Sequence, residues 1–210
     1  MTPFSTLEAS ACPLGRENVD TDQLIPARFM QTPRAKGYGQ FLLHDLRRDE
    51  AGALRDDFPV NDQRYASAQI MIGRANFGCG SSREAAVYVL ADAGFRCVLA
   101  PSFGDIFASN CVQNGVLPAC LSSQDIEALL ANERVISGAP IRVDLVAQTI
   151  TAGNQVLSFS VRPDWKTRLV NGWDDINITQ SHEAEISGFL QRDALERPWA
   201  QPRIVQDKGA

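Results

Sequence analysis

The stretch Gly78-Cys79-Gly80-Ser81-Ser82-Arg83-Glu84 constrains this chain most, because it stands between the apolar run Ile70-Met71-Ile72 and the helix-forming Ala85-Ala86-Val87-Tyr88-Val89-Leu90. A strand that turns through glycines into a helix is a building unit of α/β folds. The same turn favours particular chemistry. The first turn of a helix leaves about four backbone N–H groups unpaired and carries partial positive charge, which attracts a carboxylate or phosphate. Arg83 adds a planar fork that grips a carboxylate through two hydrogen bonds, and glycine lets backbone approach a ligand closely. The loop reads as an anion-binding and candidate catalytic element. A plainer reading of Ser81 and Glu84 is the capping box Ser-x-x-Glu, in which each side chain satisfies a backbone N–H near the other. That leaves unexplained the doubled serine, an arginine where the helix dipole disfavours a cation, and the glycines on both sides of Cys79.

Strand and helix alternate from Ser67 onward. The pattern predicts a strand to Ile72, a helix over 82–93 stopped by Gly94, and a strand over 96–100. Ser102-x-x-Asp105 predicts a capped helix closed by Gly115, followed by a strand over 116–120, and Ser122-x-x-Asp125 opens a further helix through Leu130. Ile141, Val143 and Leu145 then alternate, and Ala152-Gly153-Asn154 turns back into 156–161 as a hairpin. Ser181 is expected to cap a last helix with Ile186, Phe189 and Leu190 on one apolar stripe. Nearer the N-terminus, 5–14 and 23–29 are expected as short strands around the polar turn 16–22. Residues 30–64 hold Pro33, Gly37, Gly39, Gly52 and Pro59 together with the charge clusters Arg47-Arg48-Asp49-Glu50 and Arg55-Asp56-Asp57. They are expected to form a long mobile loop with a short helical piece at 41–46. The expected organisation is one domain over 1–200 and a flexible tail over 201–210.

Composition removes several function classes. A chain of 210 residues that is 44% hydrophobic can bury one sizeable core. A net charge of −5 argues against nucleic acid as the main partner. With no long apolar stretch, neither a membrane span nor a signal peptide is expected, and the expected compartment is the cytoplasm. Five scattered cysteines with no Cys-x-x-Cys pair, and two distant histidines, make a poor zinc or iron–sulfur framework, so no metal ligands are expected in this chain. Cys97, Cys111 and Cys120 sit in apolar settings as core thiols, while Cys79, in the loop, reads either as a packed thiol or as a chemical one.

Several spaced motifs together resemble a known family. Asn18-Val19-Asp20-Thr21-Asp22-Gln23-Leu24-Ile25-Pro26, Asn76-Phe77-Gly78-Cys79-Gly80-Ser81-Ser82-Arg83-Glu84, Ala100-Pro101-Ser102-Phe103-Gly104-Asp105-Ile106-Phe107 and Gly115-Val116-Leu117-Pro118 occur in that order, with Asp174-Asp175-Ile176 and Gln180-Ser181-His182-Glu183 toward the end. This series is similar to the small subunit of 3-isopropylmalate dehydratase, and it covers nearly the whole chain. The resemblance implies an α/β fold, a swivelling β/β/α domain like the fourth domain of aconitase, with a C-terminal hairpin and helix.

It also implies a hydro-lyase of leucine biosynthesis that isomerises 2-isopropylmalate to 3-isopropylmalate by removing and re-adding water. In that family the [4Fe-4S] cluster is held by three cysteines of a large subunit, so the small chain acts only in the heterodimer. The resemblance makes Ser81 the base, gives Ser82 and Arg83 the substrate carboxylate, and has Asp22 order the site. Asp22 reads equally well as a turn or cap aspartate on spacing alone. The family loop most often continues Arg-Glu-His-Ala, whereas this chain has Arg83-Glu84-Ala85-Ala86. Relatives acting on homoaconitate, citraconate or dimethylmalate share these motifs, so substrate choice is expected to lie partly in residues 27–40. Phe29 and Met30 are the apolar candidates there, and Arg34 is either a pocket cation or a solvated loop tip. The alternative class is a non-catalytic carboxylate-binding subunit.

Overall fold

In the computed structural model, which describes residues 1–200, the chain opens with two short strands, β1 (Thr6–Ala9) and β2 (Ala11–Pro13), separated at Ser10. The apolar run before the glycine loop is β3 (Ile70–Ile72), every residue of it buried. β4 (Cys97–Ala100) and β5 (Leu117–Cys120) follow, and the four form a parallel sheet in the order β2-β3-β4-β5. β1 leaves this sheet and pairs antiparallel with β6 (Ile141–Asp144), which continues through β7 (Thr149–Ala152) to β8 (Gln155–Ser158). The hairpin turn at Gly153-Asn154 is the one expected.

Side-chain alternation sorts the parallel strands onto two cores. Ile70, Ile72, Cys97 and Leu99 join Ile141, Val143 and Ile150 in a core shared by both sheets, whereas Met71 and Val98 face the opposite core, under helices. Those helices are α1 (Thr21–Leu24), α2 (Ala85–Asp92) and α3 (Asp105–Gln113), which contribute Leu24, Leu90, Phe107 and Cys111. Sheet, sheet and helices are thus the three layers of the expected β/β/α fold. α4 (Ser123–Leu130), α5 (Glu133–Ile136) and α6 (Pro163–Asn171) pack against the core between the sheets through Ile126, Leu129, Val135 and Leu169. Ser122 caps α4 by accepting the Asp125 N–H at 3.0 Å, as its spacing indicated.

Three expectations need correction. Residues 23–29 are not a strand: they run from the end of α1 into a 3-10 turn, Ala27–Gln31. Residues 30–64 are not a mobile solvated loop but a chain of turns, with 3-10 segments at Arg34–Lys36, Gly39–Phe41 and Pro59–Asn61. Its apolar residues explain this, since Tyr38, Leu42, Leu43 and Phe58 are buried in the helix-side core and Tyr38 N–H donates to Asp92 at 2.9 Å. Ser102 does not cap α3, whose N-cap is Gly104; its Oγ accepts the Asn76 N–H at 2.8 Å instead.

By internal contacts the chain divides after Gly172. The second unit contains α7 (Asp175–Ser181) and α8 (Glu183–Glu196). A capping box of Asp174 and Asn177 starts α7. Ser181 does not cap α8: its hydroxyl donates to the Ile178 carbonyl at 2.6 Å, and His182 occupies the N-cap. Ile186, Phe189 and Leu190 lie on α8 and are 39%, 52% and 57% exposed. The expected tail, 201–210, lies outside the described residues.

Candidate active site

The glycine loop extends the parallel sheet beyond its carboxyl ends, the edge at which open α/β sheets bind ligands. Phe77 bridges to Phe103 after β4, and Cys79 bridges to Asp20 in the stretch after β2. Gly78 N–H donates to Val19 O at 2.7 Å, Thr21 N–H to Cys79 O at 2.9 Å, and Gly104 N–H to Phe77 O at 2.9 Å. Three chain segments remote in sequence are thereby fastened side by side. Gly78 adopts φ +71°, and a Cβ placed on it would lie 2.1 Å from the Phe107 ring, so both conformation and space demand glycine.

Ser81 projects from the end of this loop and is exposed. Its Oγ lies 2.8 Å from Thr21 Oγ1, and its N–H donates to the same oxygen at 3.1 Å. α2 begins only at Ala85, later than the pattern indicated, with Glu84 as an N-cap that makes no side-chain capping bond. Glu84 instead accepts from Asn114 Nδ2 at 3.0 Å. The capping-box reading of Ser81 and Glu84 is therefore wrong, and both side chains are occupied elsewhere.

Arg83 forms an ion pair with Asp22, the side chains being 26% and 59% exposed. Asp22 itself is not the cap of α1. Asp20 takes that role, accepting the Gln23 N–H at 2.7 Å, which leaves the Asp22 carboxylate free to meet Arg83. Ser82, between Ser81 and Arg83, is exposed. A cavity of about 230 Å3 opens beside Ser81, between residues 78–81 and 104–107.

Ser81, Ser82, Arg83 and Asp22 thus come together at one edge, and the other three candidates do not touch it. Arg34 stacks its guanidinium over Tyr88, 3.5 Å from the ring centroid, and stands 3.6 Å from Asp92, along α2. Phe29 stacks on Phe41 with centroids 4.3 Å apart, and Met30 is 40% exposed. None of these three makes a hydrogen bond, ion pair or ring contact with residues 78–84. Sequence reasoning missed Thr21 and Asn114. Thr21 stood inside a motif already singled out, but its partner lies 60 residues away and no local spacing reveals it.

The cysteines are not arranged for metal. Cys12, Cys97 and Cys111 are buried, and among the described residues no group of three or more His, Cys, Asp or Glu side chains is placed to hold an ion. Burial, reinforced by the Asp20 carboxylate, raises the Cys79 thiol above its ordinary pKa, which disfavours the thiolate that a nucleophile needs.

Residues 1–124 match the family model described as the aconitase C-terminal domain. A 3-isopropylmalate dehydratase small subunit from Rhodospirillum centenum is 44% identical over 201 residues, spanning 95% of this chain and 99% of that protein. The chain belongs to the 3-isopropylmalate dehydratase small-subunit family. A second 3-isopropylmalate dehydratase small subunit, from Leptospira interrogans, is 44% identical over 95% of this chain and 98% of its own length. The solved structure of a 3-isopropylmalate dehydratase from Methanocaldococcus jannaschii superposes with a TM-score of 0.62 at 22% identity, covering 87% of this chain and 98% of that one. At that identity the likeness concerns the fold. Among the described residues no helix is long and apolar enough to cross a membrane.

Proposed function

We propose that this chain is the small subunit of a hydro-lyase of leucine biosynthesis that interconverts 2-isopropylmalate and 3-isopropylmalate by dehydration and rehydration, acting in the cytoplasm beside a large subunit. The observation that carries the reading is family membership across 95% of the chain. The Ser81-Ser82-Arg83 edge supports it, because these polar groups lie open to solvent at the sheet's carboxyl end, where a second chain can reach them. Five free cysteines suit a reducing compartment.

The chemistry begins with a carbon acid. A proton on carbon next to a carboxylate is weakly acidic, so the negative charge that develops as it leaves has to be met by fixed donors. Ser81 Oγ removes that proton and returns it when water adds back. A serine serves as base only where its alkoxide is stabilised, which the cationic, donor-rich surroundings of Arg83 and the loop provide. Arg83 and Ser82 hold the substrate carboxylate, and Asp22 orients Arg83 for it. A [4Fe-4S] cluster, assigned here to the large subunit, supplies Lewis acidity toward the departing hydroxyl when bound. The dispersed, mostly buried cysteines of this chain do not suit holding it. For specificity, Phe29 and exposed Met30 remain the proposed contacts to the isopropyl group. Arg34, engaged by Tyr88 and Asp92, would have to leave both to enter a pocket.

Assay of the co-expressed pair against a panel of hydroxy diacids tests this. Isopropylmalate turnover by the pair and none by the purified single chain is the expected result. Turnover by the single chain would overturn the two-subunit reading, and preference for a carboxylated or unbranched diacid would overturn the substrate.

A further inference from the structure

We infer that Thr21 is a positioning residue for the reaction: its buried hydroxyl donates a hydrogen bond to Ser81 Oγ and holds that oxygen ready to act as base. This rests on Ser81 being the base, as proposed above. Thr21 is 1% exposed, and among the described residues only Ser10 is a comparably buried polar side chain. A buried hydroxyl needs partners, and both of its contacts run to one residue. Thr21 Oγ1 accepts the Ser81 backbone N–H at 3.1 Å and lies 2.8 Å from Ser81 Oγ.

The direction of the second bond follows from counting hydrogens. A hydroxyl has one hydrogen and two lone pairs. The Ser81 N–H already takes one lone pair of Thr21, and among the described residues no other acceptor stands within hydrogen-bonding distance of the Thr21 hydroxyl. Its hydrogen therefore points to Ser81 Oγ. Ser81's own hydrogen is left to face outward, on the exposed side where substrate arrives.

Such a donor acts selectively. A hydrogen bond to a charged oxygen is roughly twice as strong as one to a neutral oxygen, so Thr21 favours the alkoxide over the hydroxyl. It is also held rigidly. Thr21 is branched at Cβ, begins the Asp20-capped α1, and donates its backbone N–H to Cys79 O at 2.9 Å. The donor and the oxygen it serves are thus parts of one hydrogen-bonded frame.

The reconstituted two-subunit enzyme provides the test, with Thr21→Val, which keeps the shape and removes the hydroxyl, both the hydrogen given to Ser81 Oγ and the lone pair that takes the Ser81 N–H, Thr21→Ser, which keeps the hydroxyl, and Ser81→Ala. Thr21→Val should lower kcat about 10- to 100-fold with KM within about threefold of the parent. The rising limb of kcat against pH should move upward by about 1 to 2 pH units, because the alkoxide has lost a donor and its pKa rises. Thr21→Ser should restore kcat to within about threefold of the parent and return the limb to its place. A Thr21→Val enzyme with parental kcat and pH profile, alongside an inactive Ser81→Ala, overturns the role of Thr21 while leaving Ser81 as base. Lower activity with an unmoved pH limb, or through KM alone, overturns it too, since that is the mark of a packing residue. Full activity in Ser81→Ala means that Ser81 is not the base, and the inference falls with it. Thr21→Ala, read by the same pH profile, replaces Thr21→Val if the valine variant fails to assemble.

Discussion

Arg83 and Asp22, 61 residues apart in sequence, face each other as an ion pair at the open edge of the parallel sheet. Both side chains are partly exposed, so screening limits what the pair adds to folding to less than about 1 kcal/mol. Its value is directional. Asp22→Asn is expected to raise KM about tenfold by loosening Arg83, with the melting temperature within about 4 °C of the parent. Arg83→Lys should raise KM further and lower kcat less, because a point charge cannot replace the fork. Steady-state kinetics on the reconstituted enzyme with parallel thermal melts check both. An unchanged KM in Asp22→Asn would remove Asp22 from the site.

Ser81→Ala separates chemistry from folding. Because Ser81 caps no helix, its loss should cost about 1 to 3 kcal/mol, from leaving the buried Thr21 hydroxyl without its acceptor, while kcat falls by orders of magnitude. Melting temperature and kcat measured on the same preparations decide it. Normal turnover in the surviving enzyme, whatever the loss of stability, would remove Ser81 as the base.

Leu42 tests the segment expected to be mobile. It is 1% exposed in the helix-side core, so Leu42→Ala should destabilise the chain by about 2 to 5 kcal/mol. Limited proteolysis of the isolated chain should leave 38–46 uncut. Early cleavage there, or a loss below about 1 kcal/mol, would count against the packed arrangement.

Thiol labelling reports the state of Cys79. Alkylation needs the thiolate, and a pKa raised by burial and by Asp20 means that this form is scarce at neutral pH and accumulates only above the ordinary thiol range. Iodoacetamide labelling followed by peptide mapping should show less Cys79 modification at pH 7 than an unperturbed thiol, rising as the buffer becomes alkaline. Rapid labelling at pH 7 would mean an activated thiol at the site.

How much of this was legible in sequence depended on whether local pattern or distant packing decided each element. β3, β4 and β5 were short apolar runs bounded by turn residues, β6 carried its own period of two, the hairpin its own turn residues, and the Ser122 cap had its partner three residues away. Ser81 and Ser102 had the same Ser-x-x-acid signal as Ser122, and Ser181 stood before an apolar stripe, yet each formed a different bond, because Thr21, Asn76 and the Ile178 carbonyl competed for it. Residues 30–64 misled for a related reason. Their glycines, prolines and charges described the surface correctly, while Tyr38, Leu42, Leu43 and Phe58 fit no helical or strand period and are buried by contacts made far along the chain. Pro163 at the first position of α6 was a usable helix signal that went unread. At the site, the loop residues stood out in the sequence; the hydrogen-bonded frame that holds them side by side did not.

That frame has a mechanical meaning. Because the stretch after β2, the glycine loop and the turn after β4 are laced together by backbone hydrogen bonds, a rigid-body displacement of the sheet would carry Ser81 and its neighbours as one body, keeping their spacing constant. A chain that docks against this edge would then meet a pre-set jaw, aligned as a single body and not group by group.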